Sequence, residues 1–193
     1  MRIITGSARG CRLKTPKGQA TRPTSDRIKE SLFNILGQKV YGRKVLDIFA
    51  GTGNLGLEAL SRGAASACFV DQATAALIRE NAVHTRLQDK AAVHGCDVFA
   101  QLSRFAQGGE SFDLIFCDPP YHKGLAWRAL TFFDESTVLA HAGILVVEHG
   151  ADENDMPELS ELHCVLNRRY GRTTQLSFFQ RKAYLKEIEE AEQ

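Results

Sequence analysis

From Lys44 to Val147 short apolar runs alternate with longer amphipathic segments, and this alternation limits the fold more than anything else in the chain. Val45 to Ala50, Ala67 to Val70, Ala91 to His94, Phe112 to Cys117 and Ile144 to Val147 read as strands. Leu55 to Arg62, Ala73 to Arg86, Val98 to Ala106 and Leu125 to Phe133 read as the helices between them. Runs that are apolar throughout, rather than at every second position, belong to strands covered on both faces. The pattern therefore predicts an α/β fold, Rossmann-like, with a parallel sheet between helical layers. The end of the chain differs: Leu162 to Arg168 and Thr173 to Arg181, around Tyr170-Gly171, predict an antiparallel pair. The expectation is a mostly parallel seven-stranded sheet with a C-terminal antiparallel pair.

The chain has 193 residues, enough for one such core and a small appendage. Residues 2–14 read as two short strands around Gly6-Ser7-Ala8-Arg9-Gly10, a hairpin. Thr15 to Pro23 reads as a loop, and a helix starts near Ser25, capped by Thr24 or Ser25. Its stripe is Ile28, Leu32, Ile35 and Leu36, and Gly37 ends it. The expected division is a basic arm over 1–37, a core over 38–185 and an acidic, fraying tail over 186–193. No apolar run approaches the ~20 residues of a membrane span. The five cysteines are scattered without a C-x-x-C, and the six histidines show no ligand spacing. A cytoplasmic protein without a metal site is expected.

The net charge of +1 is unevenly placed. Residues 1–29 carry eight basic side chains and one acid, a charge of +7, and the remainder carries 16 basic and 22 acidic residues, a charge of −6. A basic arm on an acidic body fits a polyanion such as nucleic acid, and equally a solvated terminal segment.

Asp47-Ile48-Phe49-Ala50-Gly51-Thr52-Gly53-Asn54-Leu55-Gly56 lies at the first strand-to-helix turn, and Gly51, Gly53 and Gly56 satisfy G-x-G-x-x-G. Taken alone, the spacing suits a dinucleotide, with Asp71 on a ribose. Asp47 counts against that reading, because its charge would repel a pyrophosphate while suiting a cationic amino-acid cofactor such as S-adenosylmethionine. Asp71 can accept two hydroxyls, and Asp97 an adenine amine with Val98 beside the ring; each acid reads equally as a cap or a surface charge. All these loops follow strand ends, where ligands of open α/β sheets bind.

Asp118-Pro119-Pro120-Tyr121 closes the most apolar short run. A carboxylate, proline carbonyls and an aromatic ring at a strand end can hold a flat amine; the plain alternative is a Pro-Pro turn.

In this order, the glycine loop, Asp71, Asp97 and Asp118 to Tyr121 resemble class I S-adenosylmethionine-dependent methyltransferases that modify exocyclic amines of bases. Arg2-Ile3-Ile4-Thr5-Gly6, Arg9-Gly10, Thr21-Arg22-Pro23-Thr24, Asp26-Arg27, Glu30 and Leu32-Phe33-Asn34 narrow the resemblance to the RsmD family of bacterial small-subunit ribosomal RNA guanine-N2 methyltransferases. It runs from Arg2 to about Tyr184 and departs at Ser7 or Ala8, where the family often carries a larger or aromatic residue.

The resemblance implies catalytic roles for Asp118, Pro119, Pro120 and Tyr121, and S-adenosylmethionine contacts from Asp47, Phe49, Ala50, Gly51, Gly53, Asp71, Asp97 and Val98. It further implies RNA contacts from Arg9, Arg12, Arg22, Thr24 and Arg27. The partner would be 16S ribosomal RNA or a small-subunit assembly particle, and the enzyme a monomer with no membrane contact. Asp118 and the carbonyl of Pro119 would accept both amine N–H groups, Asp118 acting as base or as positioner, with Tyr121 stacked on the base. An adenine-N6 methyltransferase, a glutamine methyltransferase, a non-catalytic nucleotide- and RNA-binding module and an NAD oxidoreductase remain as alternatives.

Overall fold

The structure, a computed structural model, describes residues 1–16 and 26–191. It divides into two compact units, Met1–Gln101 and Leu102–Gln193.

The first unit opens with a tight turn over 3–11 held by Ile3 N–H to Cys11 carbonyl (2.9 Å) and Gly10 N–H to Ile3 carbonyl (2.9 Å). The hairpin expected over 2–14 is reduced to one antiparallel bridge, Arg2 with Arg12. The N–H groups of Ile4 and Thr5 donate to Glu58, and those of Ser7 and Ala8 to Ser61, instead of across a ladder. Helix α1 (Asp26–Leu36) follows, then β1 (Lys44–Ile48), α2 (Asn54–Ser61), β2 (Ser66–Val70), α3 (Ala75–His84), β3 (Ala91–His94) and α4 (Val98–Gln107).

Strands β1, β2 and β3 are parallel, with Ile48 opposite Val70 and Val70 opposite His94. Three strands thus end level, and the loops starting at Phe49, Asp71 and Gly95 leave the same edge. Gly56 makes the first βα turn possible: a Cβ there would lie 2.3 Å from the Phe69 ring, so only glycine lets α2 sit this close to β2.

The second unit holds β4 (Phe112–Cys117), α5 (Leu125–Glu135), β5 (Leu139–Gly150), β6 (Leu162–Tyr170), β7 (Thr174–Arg181) and α6 (Lys182–Ala191). Strand β5 runs parallel to β4, with Cys117 opposite Val147. Strand β7 runs antiparallel to both β5 and β6. The seven strands follow the order β3-β2-β1-β4-β5-β7-β6, a mostly parallel sheet with the antiparallel C-terminal pair.

Strand β5 spans 12 residues where only Ile144 to Val147 reads as strand, because Ala140 to Gly143 is not apolar and a register irregularity intervenes between the Phe112 and Leu114 pairs. The tail expected to fray from residue 186 instead continues α6 to Ala191. Among the described residues no helix is long and apolar enough to cross a membrane. All five cysteines are free thiols.

Candidate active site

In the first unit the glycine loop is shaped by three left-handed residues, Phe49 (φ 57°), Gly51 (φ 55°) and Gly53 (φ 77°). Two are glycines, for which this region costs nothing, but Phe49 is not, and such outliers cluster at functional sites. Its ring meets Phe99 edge-on at 6.1 Å. Asp71 braces the loop: Oδ2 accepts the Gly51 N–H at 3.0 Å, and Oδ1 accepts those of Ala73 and Thr74, both at 2.9 Å. A carboxylate offers about four lone-pair directions. Three are occupied by the protein, so this arrangement leaves Asp71 one further bond rather than the ribose pair expected from the sequence.

Asp47 is buried within β1, and its Oδ2 accepts the Gly56 N–H at 2.8 Å. Burial pushes its carboxyl up to about 8; the Gly56 bond opposes this, and the nearby Asp71 charge adds to it. The acid heading the loop is therefore mostly protonated at neutral pH, and it fastens the strand end to α2. Asp97 is exposed and caps α4 through Oδ1 to the Ala100 N–H at 2.9 Å, while Val98 is buried.

In the second unit Asp118 leaves β4 half-buried, followed by buried Pro119 and exposed Pro120. The Tyr121 hydroxyl donates to Glu148 Oε1 at 2.7 Å and lies 3.2 Å from the Thr174 hydroxyl. Burial, then the Glu148 charge, holds the phenol above its ordinary value, so it stays protonated. The next residue, His122, is left-handed (φ 59°). Its N–H donates to Glu153 Oε1 at 3.1 Å, while Glu153 Oε2 takes the Gly150 N–H at 2.6 Å. Glu148 and Glu153 thus clamp the turn to the end of β5. Beneath it, buried His149 donates from Nδ1 to the Gly150 carbonyl (3.0 Å) and accepts from Ser177 at Nε2 (2.8 Å), with Trp127 packed on its ring at 4.6 Å. Burial lowers its pKa and keeps it neutral.

Sequence reasoning missed Glu148, Thr174 and Glu153. One signal was present for Glu148, an acid after an apolar run, as Asp118 is.

Arg9, Arg12 and Arg27 are exposed, and Arg22 and Thr24 lie outside the described residues. Lys29, one of the arm's eight basic side chains, is not a surface charge: it is fully buried, 3.1 Å from Glu58 Oε2, and donates to Asn54 Oδ1 (2.8 Å) and the Arg2 carbonyl (2.6 Å). Glu58 in turn accepts the N–H groups of Ile4 (2.7 Å) and Thr5 (3.0 Å) and Arg62 Nε (2.8 Å). The arm is joined to α2 by a satisfied internal ion pair.

Comparison with known proteins places this arrangement. YlbH of Bacillus subtilis is 39% identical over 176 residues, 90% of this chain and 95% of its own length. Ribosomal RNA small subunit methyltransferase D of Escherichia coli K12 is 32% identical, over 95% of this chain and 91% of its own. The solved structure of Escherichia coli yhhF superposes with a TM-score of 0.81 at 34% identity, covering 95% of this chain and 98% of that one. The model of the family described as conserved hypothetical protein 95 matches residues 1–180. The chain therefore belongs to that family, which includes the RsmD proteins.

Proposed function

We propose that this protein transfers a methyl group from S-adenosylmethionine to the exocyclic N2 amine of a guanine in 16S ribosomal RNA. The observation that carries the reading is the Asp118-Pro119-Pro120-Tyr121 turn at the end of β4, with the Tyr121 hydroxyl bonded to Glu148. The names of the relatives, methyltransferases of small-subunit ribosomal RNA, support the substrate class.

The first unit suits the cofactor by its donor set. Left-handed Phe49, Gly51 and Gly53 turn the backbone sharply, Asp71 keeps one lone-pair direction for a hydroxyl, and Val98 and Phe99 give an apolar surface for a base. Phe49, Ala50, Gly51, Gly53, Asp71, Asp97 and Val98 are assigned to hold it, with Asp47 supporting the loop and facing its cationic end. When bound, S-adenosylmethionine supplies an electrophilic methyl on a positively charged sulfur.

The rest is the work of the second unit. The N2 lone pair of guanine is delocalised into the ring and is a poor nucleophile. Asp118 and the Pro119 carbonyl accept its two N–H groups, which favours the pyramidal amine and directs the lone pair. Such positioning supplies up to ~7–11 kcal/mol in well-oriented systems. Asp118 then takes, or electrostatically stabilises, the proton of the cationic amine. Tyr121 stacks on the base, which leaves its helix to reach the site at a cost of a few kcal/mol. Residues 1–37 serve RNA contact through Arg9, Arg12, Arg22, Thr24 and Arg27, residues 38–185 carry the reaction, and 186–193 are an acidic tail. A cytoplasmic monomer acting on 16S RNA or an assembly particle completes the reading.

The test is methyl transfer from labelled S-adenosylmethionine to small-subunit RNA, followed by nucleoside mass analysis. N2-methylguanosine is expected from the wild type, with at least a ~10²-fold loss in Asp118→Ala and cofactor affinity unchanged. Label in N6-methyladenosine would transfer the reading to adenine, and full turnover by Asp118→Ala would sink it.

A further inference from the structure

Strands β6 and β7 form a hairpin whose charge is one-sided. Between Glu161 and Glu187 there are six basic residues and no acid. Two of the six are committed to internal carbonyls: Arg181 to Leu139 (3.0 Å) and Ser136, and Lys182 to Leu159 (2.7 Å). Arg168, Arg169 and Arg172 remain exposed around the tip. Among the described residues, no ion pair holds any of the three. Among the described residues the Arg168 and Arg172 side chains make no hydrogen bond, and Arg169 only reaches the nearby Gly171 carbonyl at 3.3 Å. Three guanidiniums within five positions repel one another. Their arrangement suits an external partner carrying repeated negative charge.

The hairpin also has a defined place. Thr174, the first residue of β7, pairs with Tyr170 on β6 and with Gly150 on β5. Its hydroxyl is 3.2 Å from that of Tyr121. Arg172 is two residues away in sequence, and Arg169 pairs with Gln175, next to Thr174. The arginines therefore stand beside the turn proposed to hold the target base. Among the described residues, strand β6 is the last in the sheet.

We propose that the β6–β7 tip is an RNA-backbone clamp in which Arg168, Arg169 and Arg172 bind phosphates flanking the target nucleotide. The inference rests on the methyl-transfer reading of the Asp118–Tyr121 turn. Arginine suits the role because its planar fork takes a phosphate in two parallel hydrogen bonds. A flipped nucleotide needs its backbone held on either side, and each phosphate contact releases counterions, so the clamp acts chiefly at low salt.

The experiment compares wild type with Arg168→Gln, Arg169→Gln, Arg172→Gln and the triple variant. Binding of a small-subunit ribosomal RNA transcript is measured by fluorescence anisotropy from about 0.05 to 0.3 M salt, with methyl-transfer kinetics alongside. The triple variant is expected to bind RNA about tenfold more weakly per arginine lost at the lowest salt. Its slope of log affinity against log salt should be shallower by about 2. The loss should appear as a raised KM for RNA, with S-adenosylhomocysteine affinity and the melting temperature unchanged. Unaltered RNA affinity and slope in the triple variant, in a wild type that methylates the RNA, would overturn the clamp and leave the methyl-transfer reading standing. A wild type that neither binds nor methylates the RNA would overturn both. Loss of binding only to vesicles containing anionic lipid, with RNA binding intact, would overturn the clamp and point to a membrane surface.

Discussion

The Tyr121 hydroxyl donates to Glu148 Oε1 at 2.7 Å, so the aromatic ring that follows the two prolines is fixed at its outer end as well as through its backbone. Glu148 is buried at the end of β5, directly beyond the Cys117–Val147 pair that brings β4 and β5 level. In the proposed reaction, a ring tethered in this way would offer a base a prearranged face. Removing one partner of a buried hydrogen bond costs about 1–3 kcal/mol. Glu148→Ala should therefore lower kcat/KM for RNA by about five- to a hundredfold, and Tyr121→Phe by less, since the ring remains. Glu148→Gln keeps an acceptor and should recover most of the loss. Steady-state kinetics with varied RNA decide this, and equal defects in Gln and Ala would show that the charge, not the bond, matters.

On the proposed cofactor assignment, Asp47 would link cofactor binding to protons. Its carboxyl, pushed up to about 8 by burial, is protonated in the free protein at pH 6–7. A cationic ligand beside it favours the carboxylate, so binding releases a proton. Affinity for S-adenosylmethionine should fall as the pH drops from 8 to 6, by at most about tenfold per unit for one proton. Calorimetry in buffers of differing ionisation heat should register the release, and Asp47→Asn should abolish it.

The same residue shapes stability against pH. Its folded pKa lies above the unfolded one, so the folded chain binds the extra proton between about 4 and 8. The stability associated with that proton is fully present below pH 4 and is lost as the pH rises through about 8. Denaturant midpoints across this range should fall in the wild type and flatten in Asp47→Asn, whose amide oxygen still accepts from Gly56.

Lys29 and Glu58 are both fully buried, with 3.1 Å between Nζ and Oε2. Burial lowers the lysine pKa, and the Glu58 charge opposes that shift. Losing one member of such a pair costs about 3–5 kcal/mol, because the other charge stays without compensation. Lys29→Met should be destabilised on this scale in urea unfolding, and the double variant with Glu58→Leu by less than the sum of the single changes.

Gly6 is left-handed (φ 87°), and a Cβ on it would meet the Ser61 carbonyl oxygen at 1.7 Å. No rotamer relieves a clash with backbone. Gly6→Ala should cost about 1–3 kcal/mol and detach the turn from α2, seen as faster amide exchange at Ser7 and Ala8. Their N–H groups now bond Ser61 at 2.8 and 2.9 Å.

Phe112–Cys117 forms a strand with the limits of its apolar run, which has the length of a strand and is short for a helix. Glu148 and His149 interrupt the corresponding signal on β5. They are polar and yet buried, made acceptable by Tyr121, Ser177 and the Gly150 carbonyl. Those partners lie as far as 28 residues away, and no local pattern carries them. Lys29 misleads in the opposite direction: it sits in a basic stretch and counts as surface charge until Glu58 is placed beside it. The Asp118–Tyr121 turn is readable as a strand end because its four residues are adjacent in the chain, whereas Glu148, Glu153 and Thr174 become its neighbours only through the folded structure.

The attachment of residues 2–8 to α2 has a practical consequence. Arg9 and Arg12 are carried on a turn whose backbone supplies the hydrogen bonds that satisfy Glu58 and Ser61. Deleting the segment would strip those bonds and expose an internal carboxylate, so a truncated protein would report on misfolding rather than on recognition. The arm is not a detachable cassette to be transplanted onto another enzyme. If the arm contacts RNA as proposed, changes in which RNA it favours would be accessible one exposed side chain at a time, on a scaffold that has to stay whole.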